Sequence, residues 1–329
     1  MACLLCLFAL ELVSRTVIAD RAAGPTANQI AALDVALRQR TDTPSVIFLG
    51  ASHTQTGVAA TRIEELLGWP RGSILNAALS NARPRDVLRL YRRHRELFEK
   101  AKTAYVEVDV TYFNRNGLNR TSTPAPAWRR RASLVDRLGF PGSFETRVDV
   151  VAGWFSNVWD QRTTWRQELI GLALRLRGTP RGARGIRLYD ALGRPAVGRA
   201  RAPLTTEALT REIDDAVYRR MFNYDFDAES FESLDELVGL LRDDGVEAVL
   251  TEMPVPAHFR ALLAERYAGA AARWSSEMRR RYGDLELLRF PGDGYVTEDF
   301  RDSDHLSERG ALRLADALAA ALRVRAKNR

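Results

Sequence analysis

Short apolar runs alternate with segments of helical spacing in two separate parts of the chain. In the first part, strands are predicted at 45–49, 73–79 and 103–110, with helices at 61–67 and 85–101. In the second part, helices are predicted at 231–241, 256–281 and 307–324, with strands at 246–251 and 285–290. Uniformly apolar strands that alternate with helices are typical of a parallel sheet buried on both faces. We therefore predict an α/β domain.

The alternation is interrupted between residues 115 and 225. This stretch holds Trp128, Trp154, Trp159 and Trp165, and the run RGTPRGARG at 177–185. We interpret it as a mostly helical insertion or lid within a domain that spans residues 42–329. The pattern does not order its elements further.

The first 20 residues, MACLLCLFALELVSRTVIAD, are apolar from Ala2 to Leu10. A helix that spans a bilayer needs roughly 20 apolar residues, so this run is short. Two interpretations stay open: the remnant of a membrane anchor, or a soluble amphipathic helix. We favour the anchor, because a soluble helix is rarely apolar on all sides. We therefore expect attachment to the cell membrane with the body outside the cytoplasm.

Charge and composition narrow the classes of partner. The chain has 49 basic and 42 acidic residues, a net charge of +7 and a pI near 9.7, which favours anionic partners. The basic residues are spread along the sequence without a nucleic-acid motif, so we expect no nucleic acid partner. The two cysteines, Cys3 and Cys6, lie in the apolar start, and the four histidines lack metal-ligand spacing. We expect neither a metal nor a cofactor.

Two distant segments carry candidate chemistry. Ser52, in FLGASHTQTGV at 48–58, directly follows a predicted strand and is either a nucleophile or the cap of the next helix. Asp302 and His305, in DFRDSDHLSERGA at 299–311, are three residues apart, so one tight turn can direct the carboxylate at the imidazole. His305 could then take the proton of a serine. Asp304 is a rival for the orienting role. Loops at the carboxyl ends of parallel strands form the ligand crevice, which would bring the segments together.

These two segments resemble the first and last blocks of the SGNH/GDSL hydrolase superfamily. Gly50–Ala51–Ser52 looks like the G-D-S-type turn that carries the nucleophile, and DSDH looks like the D-x-x-H block that carries Asp302 and His305. The resemblance covers about 42–114 and 231–325. It implies a three-layer α/β/α, flavodoxin-like fold and a Ser-His-Asp triad.

The resemblance also implies an oxyanion hole. The segment NAALSNARP at 76–84 is similar to the second block, so Asn81 would donate an N–H together with the backbone of Ser52. In the third block, Asp109 or Asn114 would fill the place of the usual asparagine. We further expect three residues to contact substrate: His53 in the cleft, and Arg83 and Arg85 against an anionic group.

With its apolar start, the chain looks most like membrane-attached SGNH-like proteins of bacterial envelope polymers, such as the D-alanyl transfer protein of teichoic-acid modification and the alginate acetylation proteins. This resemblance implies a serine esterase or O-acyltransferase that acts on acyl esters of an envelope carbohydrate, such as a periplasmic exopolysaccharide, with a membrane-bound acyl-transfer partner. The alternative is a catalytically inactive SGNH-like scaffold of a polysaccharide assembly or modification complex.

Overall fold

The computed structural model describes residues 42–80, 82–116 and 204–327, with a few isolated positions elsewhere. The chain divides into two compact units, and these three ranges belong to one of them, Val35–Asn119 with Tyr189–Arg329. Segment 1–20 and most of the expected insertion at 115–225 lie outside the described residues.

A five-stranded, all-parallel sheet forms the centre of the described unit. Its strands are β1 (Val46–Leu49), β2 (Ile74–Asn76), β3 (Thr103–Glu107), β4 (Glu247–Glu252) and β5 (Leu287–Arg289). The spatial order is β2-β1-β3-β4-β5, and every neighbouring pair is parallel. This is the flavodoxin-like order, in which the first strand lies inside the sheet. All residues of β1 and β3 are buried, as their apolar composition predicts.

Helices cover both faces of the sheet. They are α1 (Ser52–Gly57), α2 (Ala60–Leu67), α3 (Pro84–Arg93), α4 (Arg95–Phe98), α5 (Thr206–Met221), α6 (Ala228–Asp243), α7 (Ala257–Arg266), α8 (Ala268–Tyr282) and α9 (Glu308–Lys327). Helix α9 packs on α1 and α2, whereas α6 packs on α3 and β4. Helix α8 joins the second group through a hydrogen bond from the Tyr282 hydroxyl to Asp235 of α6. The predicted α/β architecture with three layers is confirmed.

Several predicted elements are shorter or interrupted. The strands predicted at 73–79 and 285–290 are observed at Ile74–Asn76 and Leu287–Arg289, and the helix predicted at 85–101 is divided at His94 into α3 and α4. Two further breaks have a local description. Strand β3 stops at Glu107, because Asp109 accepts hydrogen bonds from the N–H and hydroxyl groups of Thr111 and caps a 3-10 helix at Val110–Phe113. The long helix predicted at 256–281 is two helices, interrupted at Tyr267, whose φ of −127° and ψ of 26° are not helical. Both breaks lie in segments whose apolar spacing continues without change.

Part of the expected insertion belongs to the sheet domain. Residues 206–221 form helix α5, which packs against α7. Among the helices of the described ranges, none has the length and apolar content that crossing a bilayer requires.

Candidate active site

The turn after β1 rests on a buried carboxylate. Oε2 of Glu107, the last residue of β3, accepts the N–H of Ala51 at 2.7 Å and that of Thr54 at 3.1 Å. A Cβ at Gly50 would lie 2.5 Å from both Cβ and Oε2 of Glu107. Glycine is therefore needed at position 50, because the backbone passes too close to Glu107 for any side chain. This contact positions Ser52 as the first residue of α1.

A second side chain holds α1 from the end of β2. The amide of Asn76 donates to the carbonyl groups of Thr54 at 3.0 Å, Val58 at 3.1 Å and Gln55 at 3.3 Å. Asn76 is 2% exposed, so these bonds form away from water. The short helix that begins at Ser52 is thus held by side chains from β2 and β3, the two strands on either side of β1.

The loop that carries the candidate base, residues 299–307, is closed on itself; we call it the base loop. Phe300 and Leu306 form a β-bridge, and the N–H of Ser307 donates to the carbonyl of Asp299 at 2.8 Å. A Cβ at Gly310 would lie 2.1 Å from the same carbonyl oxygen, so glycine lets α9 approach the loop closely. The base loop is consequently held against the helix that follows it.

Ser52, His305 and Asp302 form a hydrogen-bonded chain. Ser52 Oγ lies 2.8 Å from His305 Nε2, and His305 Nδ1 lies 2.7 Å from Asp302 Oδ1. Asp302 Oδ1 also accepts the backbone N–H of His305 at 2.9 Å. Burial alone would raise the pKa of Asp302, but the hydrogen bond and charge of His305 lower it. An ionised Asp302 favours the proton on Nδ1, which leaves Nε2 free to accept the serine proton.

Asp304, the rival orienter, lies farther from the base. Its Oδ1 is 3.6 Å from His305 Nδ1, compared with 2.7 Å for Asp302. Its Oδ2 instead contacts His53 Nε2 and Arg220 Nη1, both at 2.5 Å. Asp302 therefore makes the closer contact with the His305 ring, whereas Asp304 pairs with His53 and Arg220.

His53 is buried, whereas the sequence analysis expected it in the substrate cleft. It is 4% exposed, and its Nδ1 lies 3.1 Å from Glu107 Oε1 while its Nε2 faces Asp304. Burial alone would lower the pKa of His53, but the charges and hydrogen bonds of Asp304 and Glu107 outweigh it and raise the pKa to about 10. His53 is thus an imidazolium between two carboxylates. Its backbone neighbour Ser52 contacts His305 instead.

Three further residues complete this buried cluster, and the sequence analysis did not identify them: Glu107, Tyr112 and Arg220. The Tyr112 hydroxyl donates to Glu107 Oε1 and lies 3.0 Å from His53 Nδ1. Burial would raise the pKa of Glu107, but His53 and the surrounding donors lower it to about 2. The available signal was an acidic residue in the otherwise apolar strand TAYVE. Arg220 lies in the stretch taken for an insertion and belongs to no motif.

The structure describes three of the four residues expected to form an oxyanion hole. Ser52 is the first residue of α1, where backbone N–H groups have no acceptor within the helix, so its N–H can face a substrate oxygen. Asn81 lies outside the described residues. The Asp109 carboxylate is an acceptor, already bonded to Thr111. The amide of Asn114 donates to the carbonyl groups of Arg220 at 2.6 Å and Phe222 at 3.2 Å. Neither third-block side chain offers a free donor.

Arg83 and Arg85 have acidic partners at the start of α6. Arg83 Nη1 lies 3.3 Å from Asp227 Oδ2, and Arg85 Nη1 lies 3.8 Å from Glu229 Oε1. The two arginine side chains are 20% and 15% exposed. They belong to a row of ion pairs between α3 and α6, which gives them a structural role. A contact of either arginine with substrate stays a prediction.

In the described ranges, one group of side chains has metal-ligand spacing. Ligand atoms of His53, Asp304 and His305 lie within 4.8 Å of one another. A metal needs the lone pair of a neutral imidazole, whereas both nitrogens of His53 face carboxylate oxygens and require protons there. The Arg220 cation already occupies Asp304 Oδ2. The chemistry of this group therefore fits a charge network better than a metal site.

No protein-family model matches the chain, and no curated protein sequence is similar to it. The sequence motifs, the fold and the geometry of the site therefore carry the functional argument. The central feature of that geometry is the chain of hydrogen bonds from Ser52 through His305 to Asp302.

Proposed function

We propose that the protein is an SGNH-type serine esterase or O-acyltransferase, with Ser52 as nucleophile, His305 as general base and Asp302 as its orienting acid. The observation that carries the proposal is the pair of contacts at 2.8 Å and 2.7 Å that joins these three side chains. Their position at the carboxyl edge of a parallel sheet supports it, since ligands bind there in such folds. The resemblance of the two sequence blocks to SGNH hydrolases points to the same chemistry.

In the first half-reaction, Ser52 Oγ attacks the carbonyl carbon of an ester while its proton passes to His305 Nε2. The carbonyl oxygen becomes an oxyanion, which the N–H of Ser52 at the start of α1 can stabilise. The C–O bond of the ester then breaks. The departing alcohol takes the proton from His305, and the acyl group remains on Ser52.

In the second half-reaction, His305 removes a proton from the acceptor as the acceptor oxygen attacks the acyl carbon. The bond between that carbon and Ser52 Oγ then breaks, and Ser52 Oγ takes the proton back from His305. Water as acceptor gives an esterase, and a sugar hydroxyl gives an O-acyltransferase. Both reactions use the same three side chains and the same acyl-enzyme. The proposal therefore includes both, and the acceptor distinguishes them.

For the substrate class, we propose acyl esters of a bacterial envelope carbohydrate, on the basis of the sequence resemblance and the apolar segment 1–20. In this proposal the N-terminus attaches the protein to the membrane, and a membrane-bound partner supplies or receives the acyl group. A reporter that is active only in an oxidising compartment, fused to the C-terminus, tests the location. Reporter activity supports an envelope substrate. An inactive but intact fusion argues for a substrate inside the cell.

The second candidate function is an inactive scaffold of a polysaccharide-modifying complex. The observation that favours it concerns Asp109 and Asn114, the two candidates for the third oxyanion donor. Asp109 accepts a hydrogen bond from Thr111, and the amide of Asn114 donates to the carbonyl of Arg220, so neither side chain donates towards a substrate. Hydrolysis of a short chromogenic acyl ester by the purified chain separates the two candidates. The enzyme proposal predicts turnover that falls to background in Ser52→Ala. Background rates in the folded native protein, with water and with sugar acceptors alike, support the scaffold.

A further inference from the structure

A row of buried charges lies beneath the proposed triad. It runs from Glu107 through His53 and Asp304 to Arg220, and we call it the buried charge row. The contacts are 3.1 Å from Glu107 Oε1 to His53 Nδ1, 2.5 Å from His53 Nε2 to Asp304 Oδ2, and 2.5 Å from Asp304 Oδ2 to Arg220 Nη1. His53 is 4% exposed and Asp304 1%. The mechanism proposed above uses none of these four side chains.

The buried charge row connects the two halves of the triad through a second path. At one end, Glu107 binds the backbone of the turn that presents Ser52. Near the other end, Asp304 directly precedes His305 in the base loop. His53 is the immediate neighbour of Ser52 in sequence, and its contact with Asp304 joins the nucleophile turn to the base loop across 251 positions. Three of these charges are buried and Arg220 is 18% exposed. A buried charge is costly unless it is paired, so the row stabilises one relative placement of turn and loop.

We propose that His53 is a positioning residue that acts through Asp304. It holds the base loop against the nucleophile turn, and its positive charge balances the carboxylates beside which His305 takes up a proton. This inference rests on the proposed function in one respect, namely that His305 is the reacting base. It deepens that function by assigning a role to the second histidine–carboxylate pair.

The charged neighbours of each group determine the expected effects. Asp302 and Asp304 face His305, and the ring of His53 lies 5.2 Å from its ring. His53 itself faces Glu107, Asp304, Tyr112 and His305; Asp304 faces His53, Arg220, Ser303 and His305. Removing the cation of His53 leaves excess negative charge near His305, which favours its protonated form. Removing the anion of Asp304 leaves excess positive charge, which disfavours it.

The test compares two nearly isosteric variants, His53→Gln and Asp304→Asn. Ring nitrogens of ¹⁵N-histidine are followed by NMR in the full chain while pH is varied, and the titration midpoint of His305 is read out. A unit charge about 5 Å away, at an effective dielectric constant of about 20–40, shifts such a midpoint by about one pH unit or more. We expect the midpoint to rise in His53→Gln and to fall in Asp304→Asn. His258→Gln is the matched control, because His258 forms an exposed pair with Asp214 at 2.9 Å, and it leaves the His305 midpoint unchanged.

Shifts in opposite directions distinguish this role from a loss of packing, which would not reverse sign with the charge removed. Unchanged midpoints, or shifts in the same direction, would overturn the proposal. A measurement on the native protein covers the case in which a variant does not fold. At about pH 8.5, above the range in which histidine ordinarily loses its proton, both ring nitrogens of His53 are expected to carry protons. A neutral His53 ring at that pH would also overturn the proposal.

The NMR readout does not depend on Ser52 chemistry, so the two proposals can fail separately. Opposite midpoint shifts in a protein whose Ser52 is unreactive would leave the positioning network standing and refute the enzyme. A reactive Ser52 together with unchanged His305 midpoints would support the enzyme proposal and refute the positioning role of His53.

Discussion

The ring centroids of His53 and His305 lie 5.2 Å apart, and the two rings contact different carboxylates. His305 is paired with Asp302 and contacts Ser52, whereas His53 is paired with Asp304 and Glu107. The four-residue motif DSDH thus supplies a carboxylate of each pair as well as His305, the less buried of the two histidines. One pair contacts Ser52, and the other lies in the interior, where it joins two segments of the protein.

Gly50→Ala is expected to disturb the nucleophile turn. The new Cβ would lie 2.5 Å from Glu107 Cβ and Oε2, so either the turn or Glu107 must move. We expect a loss of about 1–3 kcal/mol in the free energy of unfolding, the usual cost of overpacking, and at least a tenfold loss of Ser52 reactivity as a consequence. Gly239→Ala in α6 is the control, because no atom lies within 4 Å of its added Cβ. Equal stability of both variants would contradict the close-approach argument.

Asp302→Asn tests the assignment of the orienting acid. An asparagine at this position keeps the shape but favours the wrong tautomer of His305, and in a comparable serine triad this substitution lowers kcat by on the order of 10⁴. We expect a loss of similar order in kcat on an acyl ester, with a small change in KM. Asp284→Asn, on an exposed aspartate, serves as control. If Asp302→Asn retained native kcat, Asp302 would not be the orienting acid.

The buried imidazolium predicts a pH-dependent contribution to stability. The pKa of His53 is about 10 in the folded protein, above its ordinary value of 6.5. Its charge therefore stabilises the fold fully below about pH 6.5, and the contribution is lost as pH rises towards 10. The carboxylate of Glu107, with a pKa of about 2, stays ionised throughout this window.

The measurement is the free energy of unfolding of the native protein and of His53→Gln from pH 6 to pH 10. We expect a difference on the order of a few kcal/mol near pH 6 that narrows towards pH 10. His258→Gln provides the comparison at an exposed histidine. A difference between native protein and His53→Gln that is constant over this range would show that His53 does not contribute through its charge.

The triad was predictable from sequence because its signals are local. Ser52 follows a buried strand directly, and the spacing of Asp302 and His305 fits a single turn. In a parallel sheet, the carboxyl ends of strands share one edge, which brings the two segments together without any knowledge of the intervening residues. The alternation of strands and helices predicted a parallel sheet, whereas the flavodoxin-like architecture was implied by the resemblance of the two sequence blocks.

The buried charge row was not predictable in this way. Its members come from four separate elements: Glu107 ends a strand, Arg220 lies in the last turn of α5, and His53 and Asp304 are neighbours of triad residues. Pairing among isolated residues depends on side-chain direction, which sequence spacing does not give. The acidic residue in an apolar strand was the one signal, because a buried carboxylate requires partners.

The most direct test of the account is labelling of the native chain with a serine-directed fluorophosphonate. The account predicts modification at Ser52, since an activated hydroxyl attacks phosphorus whereas a helix-capping hydroxyl does not. Labelling should be absent in Ser52→Ala, and it should fall strongly in His305→Ala because the proton acceptor is gone. Folded protein that resists labelling, or labelling of Ser52 that is indifferent to His305, would contradict the central claim that this serine is a nucleophile activated by His305.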